Sequence, residues 1–193
     1  MTSINREDAM NLLREHNQEI QHIRHALAVE ATMRHFAKIS GEDEDLWGLA
    51  GLIHDVDWET TRDDYTKHTH VGAGWLKTAG YPDEIVRAVL AHGWGICSDV
   101  EPLTAMEKHL YAVDELTGFV TAVALVRPGK SLSDLEIKSV KKKWKDKAFA
   151  KGVDRDVILK GTTILDISLD DLIDGVITAL RPVEREIGLG EGA

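Results

Sequence analysis

Apolar residues return every three or four positions along almost the whole chain, and that spacing limits the fold more than any other feature. It is clearest from Asp43 to Ile53, where Leu46, Leu49, Ala50 and Ile53 fall at i, i+3, i+4 and i+7. Residues spaced this way share one face of a helix. The run from Glu19 to Ile39 behaves alike, with Ile20, Ile23, Leu27 and Met33 near one face and Gly41 as a stop. Further helices are predicted over Arg6 to Glu15, Val71 to Ala79, Glu84 to Ala91, Thr104 to Val126, Asp134 to Trp144, Arg155 to Leu165 and Leu169 to Glu186. The punctuation agrees. Gly80 and Pro82 follow one helix, Asp83 caps the next, Pro128-Gly129 end the second long one, and Ser133 with Glu136 makes a capping box. Val56 to Thr69 and Gly93 to Pro102 read as loops. No segment alternates with period two, so the predicted fold class is all-α. Thr163 to Ile167 is the one short run that would suit an extended segment, and the tail GLGEGA is expected to be disordered.

Composition narrows the function. A chain of 193 residues fits one domain with an extension and buries enough surface to need no disulfide. Its single cysteine, Cys97, forms no internal framework and suits a reducing compartment. The N-terminus MTSINREDAM is polar, without the apolar segment of a secretory signal, and the longest apolar stretch, near Phe119 to Val126, is too short to span a bilayer. A cytoplasmic protein with no membrane partner is the expectation. The net charge of -10 repels phosphate backbones, so no nucleic-acid polymer is expected as a partner. One basic cluster, Lys138, Lys141, Lys142, Lys143, Lys145 and Lys147, reads as a solvated helix face.

The residues that carry chemistry start with His54-Asp55, directly after the apolar run 43–53. Asp114 sits mid-helix among apolar residues in LYAVDELTGFV. A carboxylate in such surroundings costs several kcal/mol unless a cation or hydrogen bonds meet it. His25 lies on or beside the apolar face of the first long helix. Two imidazoles and two carboxylates together suit Fe, Mn, Zn, Co or Ni and leave positions open for water. Spacing alone does not bring the four together, and each by itself reads equally as a satisfied polar contact.

The order H…HD…D resembles the HD superfamily of metal-dependent phosphohydrolases. GLIHDVDWE, KHTHVGAGWL with His68, Gly72 and Ala73, IVRAVLAHG with His92, and LYAVDELTGFVTAVALVRP all resemble segments of that family, the last a small bacterial group of HD hydrolases. The resemblance covers roughly residues 20–165. It implies a single HD-type domain over 1–193: a helical bundle with a core at about 20–128 and a C-terminal helical extension at about 133–187. It also implies a divalent transition metal held by His25, His54, Asp55 and Asp114. His68 and His92 then match positions that bind a second metal or contact substrate. The implied activity is hydrolysis of a small phosphate ester, nucleotides among the candidates, by metal-activated water, with Asp55, His68 and His92 as catalytic residues. Two alternatives stay open: a mixed-valent di-iron oxygenase on the same scaffold, and a module that binds a nucleotide without turning it over. The C-terminal helices either cap the core or pair two chains as a homodimer.

Two positions depart from relatives. Trp58 stands where some carry a lysine, and His92 is followed by Gly93 rather than a second histidine. Asp57 and Glu59 read either as loop charges or as groups that orient a ligand. Arg62 and Lys67 read as surface charges ahead of phosphate contacts, His22 as a surface residue ahead of a support for the ligands from one turn before His25, and His16, His35 and His109 as ordinary surface or packing residues. The H-x-x-x-G-A spacing favours His68 over His70. Glu115 is expected to face away from the ligands, and Trp94 is the aromatic expected to line the cleft.

Overall fold

A computed structural model describes residues 5–190. The chain runs through α1 (Arg6–His16), α2 (Ile20–Ser40), α3 (Glu44–Ile53), a short α4 (Trp58–Thr61), α5 (His70–Thr78), α6 (Asp83–His92), α7 (Ala105–Leu125), α8 (Ile137–Trp144), α9 (Arg155–Leu165) and α10 (Leu169–Leu180), with 3-10 turns at Tyr65–Lys67 and Arg181–Val183. Among the described residues no strand forms, and one isolated bridge joins Trp94 to Ser98. The all-α reading holds. No described helix is long and apolar enough to cross a membrane.

Two apolar clusters make the core. One joins α2 and α7 to the C-terminal helices through Met33, Phe36, Leu116, Phe119, Ile158, Leu172 and Val176. The other joins α1, α3, α5 and α6 through Leu13, Leu52, Ile53, Leu76 and Ile85. Helices α2 and α3 feed both clusters, so the element that bears His25 is fixed against the one that ends at His54. Their contact is close because position 51 is glycine: a Cβ there would stand 2.9 Å from the Val29 carbonyl oxygen and 3.0 Å from Met33 Cγ. Buried Asn17 then ties the end of α1 to the turn after α3, donating from Nδ2 to the carbonyls of Leu13 and Val56.

Several local expectations need correction. Asp83 is the first helical residue rather than the cap; Pro82 holds the cap position, and Asp83 with Glu84 places negative charge in the first turn of α6. The Ser133–Glu136 capping box does not form, and α8 starts at Ile137. The Ser133 N–H donates to Ser131 Oγ instead, and tertiary partners hold the neighbouring backbone: Leu132 N–H donates to Glu184, and Arg181 donates to the Leu132 and Leu135 carbonyls. Helix α10 stops at Leu180 and gives way to a 3-10 turn over Arg181–Val183. Thr163 to Ile167 is not extended, since α9 runs to Leu165 and Asp166 closes it in the left-handed region. The tail is seated as far as Gly190: Leu189 is fully buried, and Gly190 N–H donates to the Lys130 carbonyl at 2.7 Å. Residues 191–193 of that predicted tail lie outside the described residues.

Gly51→Ala should lower stability by about 1–2 kcal/mol in urea unfolding, because overpacking against backbone outweighs the gain in helix propensity. An unchanged or higher midpoint would contradict the α2–α3 contact.

Candidate metal centre

Five segments deliver the six residues singled out in the sequence. Helix α2 presents His25. The last turn of α3 runs into His54 and Asp55. His68 precedes α5, His92 is the last residue of α6, and Asp114 lies in the middle of α7. All six meet. His25 Nε2 lies 2.9 Å from Asp114 Oδ1, and His54 Nε2 lies 3.2 Å from the same oxygen and 3.5 Å from Asp55 Oδ2. On the other side, His68 Nε2 and His92 Nε2 each stand 3.2 Å from Asp55 Oδ1.

Their outer nitrogens explain this aim. His54 Nδ1–H donates to the Gly51 carbonyl at 2.8 Å, and His92 Nδ1–H donates to the Val89 carbonyl at 2.6 Å, each within its own helical turn. His68 Nδ1–H donates to Asp57 Oδ1 at 2.8 Å. With Nδ1 protonated, each Nε2 offers a lone pair, the arrangement a metal-ligating histidine needs. His54 Nε2 and His92 Nε2 are buried with no hydrogen-bond partner. A lone pair facing a carboxylate oxygen is repulsive unless a proton or a cation lies between them.

The donor set fits a cation. Ligand atoms about 2.1 Å from a metal, at right or tetrahedral angles, stand roughly 3.0–3.4 Å apart. The contacts above run from 2.9 to 3.5 Å. Three groups of ligand atoms lie within 4.8 Å of one another: His25, His54 and Asp55; His54, His92 and Asp114; and Asp55, His68 and His92.

Asp57 is the support the sequence left undecided. It is fully buried, and its second oxygen accepts Gly72 N–H at 2.7 Å. Gly72 is needed for this approach, since a Cβ there would stand 2.9 Å from Val56 Cγ1 and 3.2 Å from Asp57. Asp57 is therefore no solvated loop charge, although residues 62–67 between it and His68 are exposed. Val56, Asp57, Thr61, His68 and Thr69 are buried, and the strain of Thr69, at φ 67°, sits between His68 and α5. His22 is also buried rather than on the surface, donating from Nε2 to the Asp55 carbonyl at 3.1 Å. It lies one turn before His25, the signal that could have found it.

Other expectations resolve plainly. His70 points outward, to the Cys97 carbonyl, and takes no part. Glu59 accepts the N–H groups of Gln18 and Glu19 before α2; Arg62 pairs with Glu19 and Lys67 with Asp64. His16 stacks on Trp75, and His35 and His109 pack around Phe36. Trp94 does not line the cleft; Lys160 sits over its ring, which lies against Tyr111. Trp58 and Tyr65 line it instead, together with Glu115, because residues 152–154 fold over α7 and close a wall beside Glu115.

Electrostatics follow from the geometry. Burial opposes charge on His54, yet the Asp55 and Asp114 carboxylates hold its pKa well above the ordinary value. Burial alone would raise both carboxylates, but the imidazoles hold Asp55 and Asp114 far below the usual range. Burial opposes charge on His68 too, and its bonds to Asp55 and Asp57 lift its pKa to about 9. Burial and neighbouring Asp114 push Glu115 up to about 8. Protons and cations thus compete for one set of lone pairs.

The family model of the HD domain matches residues 23–116, a span that contains all six residues. The chain is similar to Ribonuclease Y of Desulfotalea psychrophila, 30% identical over 145 residues, which covers 70% of this chain and 26% of that protein. It is similar to Ribonuclease Y of Oleidesulfovibrio alaskensis, 30% identical over 124 residues, covering 59% of this chain and 22% of that protein. A third relative, Ribonuclease Y of Fervidobacterium nodosum, is 33% identical over 86 residues, covering 45% of this chain and 14% of that protein. The chain therefore spans about a quarter or less of the length of these curated relatives. No solved structure matches it.

The His68 shift sets a pH dependence for protein stripped of metal. A pKa of about 9 when folded, against about 6.5 when unfolded, gives stability that is full below pH 6.5 and lost as pH rises through 9. Urea midpoints in chelator should therefore fall between those values, and fall less in His68→Gln. A flat or rising wild-type profile would contradict the imidazolium–carboxylate pairing.

Proposed function

Residues 23–116 form an HD domain, and on that premise we propose that this chain is a phosphohydrolase that cleaves a phosphate ester with metal-activated water. HD domains are mostly metal-dependent hydrolases, so the class of enzyme follows from the family and the ester from this reading of the site. The observation that carries it is the convergence of four imidazole Nε2 atoms on the carboxylates of Asp55 and Asp114, with three of the outer nitrogens tied down.

In this reading His25, His54, Asp55 and Asp114 hold one divalent transition metal. Asp55 turns Oδ2 toward His54 and Oδ1 toward His68 and His92, so His68 and His92 with that oxygen offer a second three-ligand group. A metal held by these residues would lower the pKa of a bound water from 15.7 toward about 7 and would polarise the phosphoryl oxygen. Asp55 would serve both as a ligand and as the group that orients the attacking water. His68, held by Asp57, and His92 lie where they would steady the charge that builds on the phosphoryl group.

The similarity to Ribonuclease Y adds phosphodiesters of RNA to the substrates worth testing. The net charge of -10 weighs toward small esters instead. The second three-ligand group also suits a di-iron oxygenase; two irons per chain with oxygen uptake would favour that reading over hydrolysis.

Assays with Mn, Co, Ni or Mg on a panel of phosphomonoesters, nucleotides and RNA should show metal-dependent release of phosphate or nucleotide. His54→Ala combined with Asp55→Ala should reduce the rate to background, and activity surviving that pair would overturn the proposal. Asp57→Asn should weaken metal binding at the second group, Asp55, His68 and His92, by about 10–100-fold, since it loosens His68 without removing a ligand. Unchanged affinity, read by metal titration, would deny Asp57 that role.

A further inference from the structure

The cavity in front of the metal centre measures about 580 Å³. Its wall beyond the ligands is formed by Trp58, Tyr65, Ile96, Glu115 and Asp154, and none of the described residues lining it is a lysine or an arginine. That is unusual for a site facing phosphate, where Arg and Lys normally meet the extra oxygens.

The charges divide by depth. Asp55 and Asp114 face the imidazoles. Glu19, at the mouth, is paired with Arg62. Glu115 and Asp154 are left, and they are neighbours: the Asp154 N–H donates to Glu115 Oε2 at 3.2 Å. The Asp154 carboxylate is occupied only by the N–H groups of Asp156 and Val157 at the start of α9. Facing the same cavity, Trp58 and Tyr65 meet edge to face, with ring centroids 5.7 Å apart, and Tyr65 stacks on His68 at 5.0 Å. Two acidic side chains and two aromatic rings thus line one cavity, the composition that receives an ammonium group.

A phosphate dianion at the His/Asp centre would leave any second anionic group beside these acidic side chains with no lysine or arginine among the described lining residues to offset it. An ammonium group on the same molecule would be attracted by Asp154 and by the rings, and would find in Glu115 an oxygen that accepts its N–H in either protonation state. From this, and resting on the phosphate-ester reading above, we infer that the substrate is a small phosphomonoester bearing a cationic amine, with Glu115 and Asp154 as the residues that select it. The C-terminal extension would then be part of the specificity of the site, because Asp154 belongs to it. The rival occupant is a longer polyanion reaching across Gly152–Asp154 to Lys147 and Lys151, which line a separate surface cleft on the far side.

The test is calorimetric titration of the metal-loaded chain with phosphoethanolamine and with propyl phosphate, its isostere without charge on the tail. Adenosine monophosphate, guanosine monophosphate and a short oligoribonucleotide serve as rivals. Turnover is measured in parallel. Phosphoethanolamine should bind about tenfold more tightly than propyl phosphate. Glu115→Gln keeps an acceptor for the Asp154 N–H, and Asp154→Asn keeps the cap of α9, so both should fold. Each should reduce the preference, and the double variant should bring it within about twofold. Equal affinities, a preference that survives the double variant, or tighter binding of a nucleotide or the oligoribonucleotide would overturn the inference. An amine preference with no product from any ester would support it and overturn hydrolysis. Product without preference would do the reverse, and no binding of any phosphate ester would overturn both.

Discussion

Two carboxylates set in the interior of a helical bundle are the constraint on which the rest of this molecule turns. Asp55 and Asp114 sit where burial costs several kcal/mol per charge unless opposite charge or donors surround them. Four imidazoles do so, each with Nε2 inward. Three of those rings are fixed from behind, two by carbonyls of their own helices and one by a buried aspartate. Such a shell costs stability to build and is rigid once built. That combination suits a site that must accept a cation without rearranging.

The packing serves this shell. Helix α2 is common to both apolar clusters, and Gly51 lets α3 press against its backbone, which sets His25 relative to His54. Asn17 and His22 hold the turn at 54–57 by its carbonyls. Gly72 brings α5 close enough for its N–H to share Asp57 with His68. The C-terminal helices do more than cover the core: residues 152–154 add a wall to the cavity and place Asp154 beside Glu115.

Much of this was legible in the sequence, for physical reasons. Helices with a strong apolar period, such as 44–53 and 155–165, fall where the spacing places them because period and burial agree. The ligand order and the flanking motifs pointed to the six residues that meet. What stayed hidden depends on partners distant in sequence. Ser133 and Glu136 have the pattern of a capping box, but Ser131 takes the Ser133 N–H, and Glu184 and Arg181 hold the backbone beside it. Trp94 stands beside His92 in sequence, yet Lys160 holds its ring elsewhere. Asp57 and His22 look like ordinary polar residues until the fold buries them against His68 and Asp55. Glu115 would face away from the ligands on an isolated helix, and only the chain at 152–154 makes its direction a wall of the same cavity.

The central claim is that the lone pairs of His25, His54, His68 and His92, with Asp55 and Asp114, hold metal. The most direct measurement is diffraction from crystals of the full chain at the absorption edges of Fe, Mn, Co, Ni and Zn. The account predicts anomalous peaks within about 2.0–2.3 Å of these nitrogen and carboxylate oxygen atoms, at one position between Asp55 and Asp114 or at two positions sharing Asp55. Crystals grown with added metal that show no peak there, or show metal bound only at other residues, would contradict it.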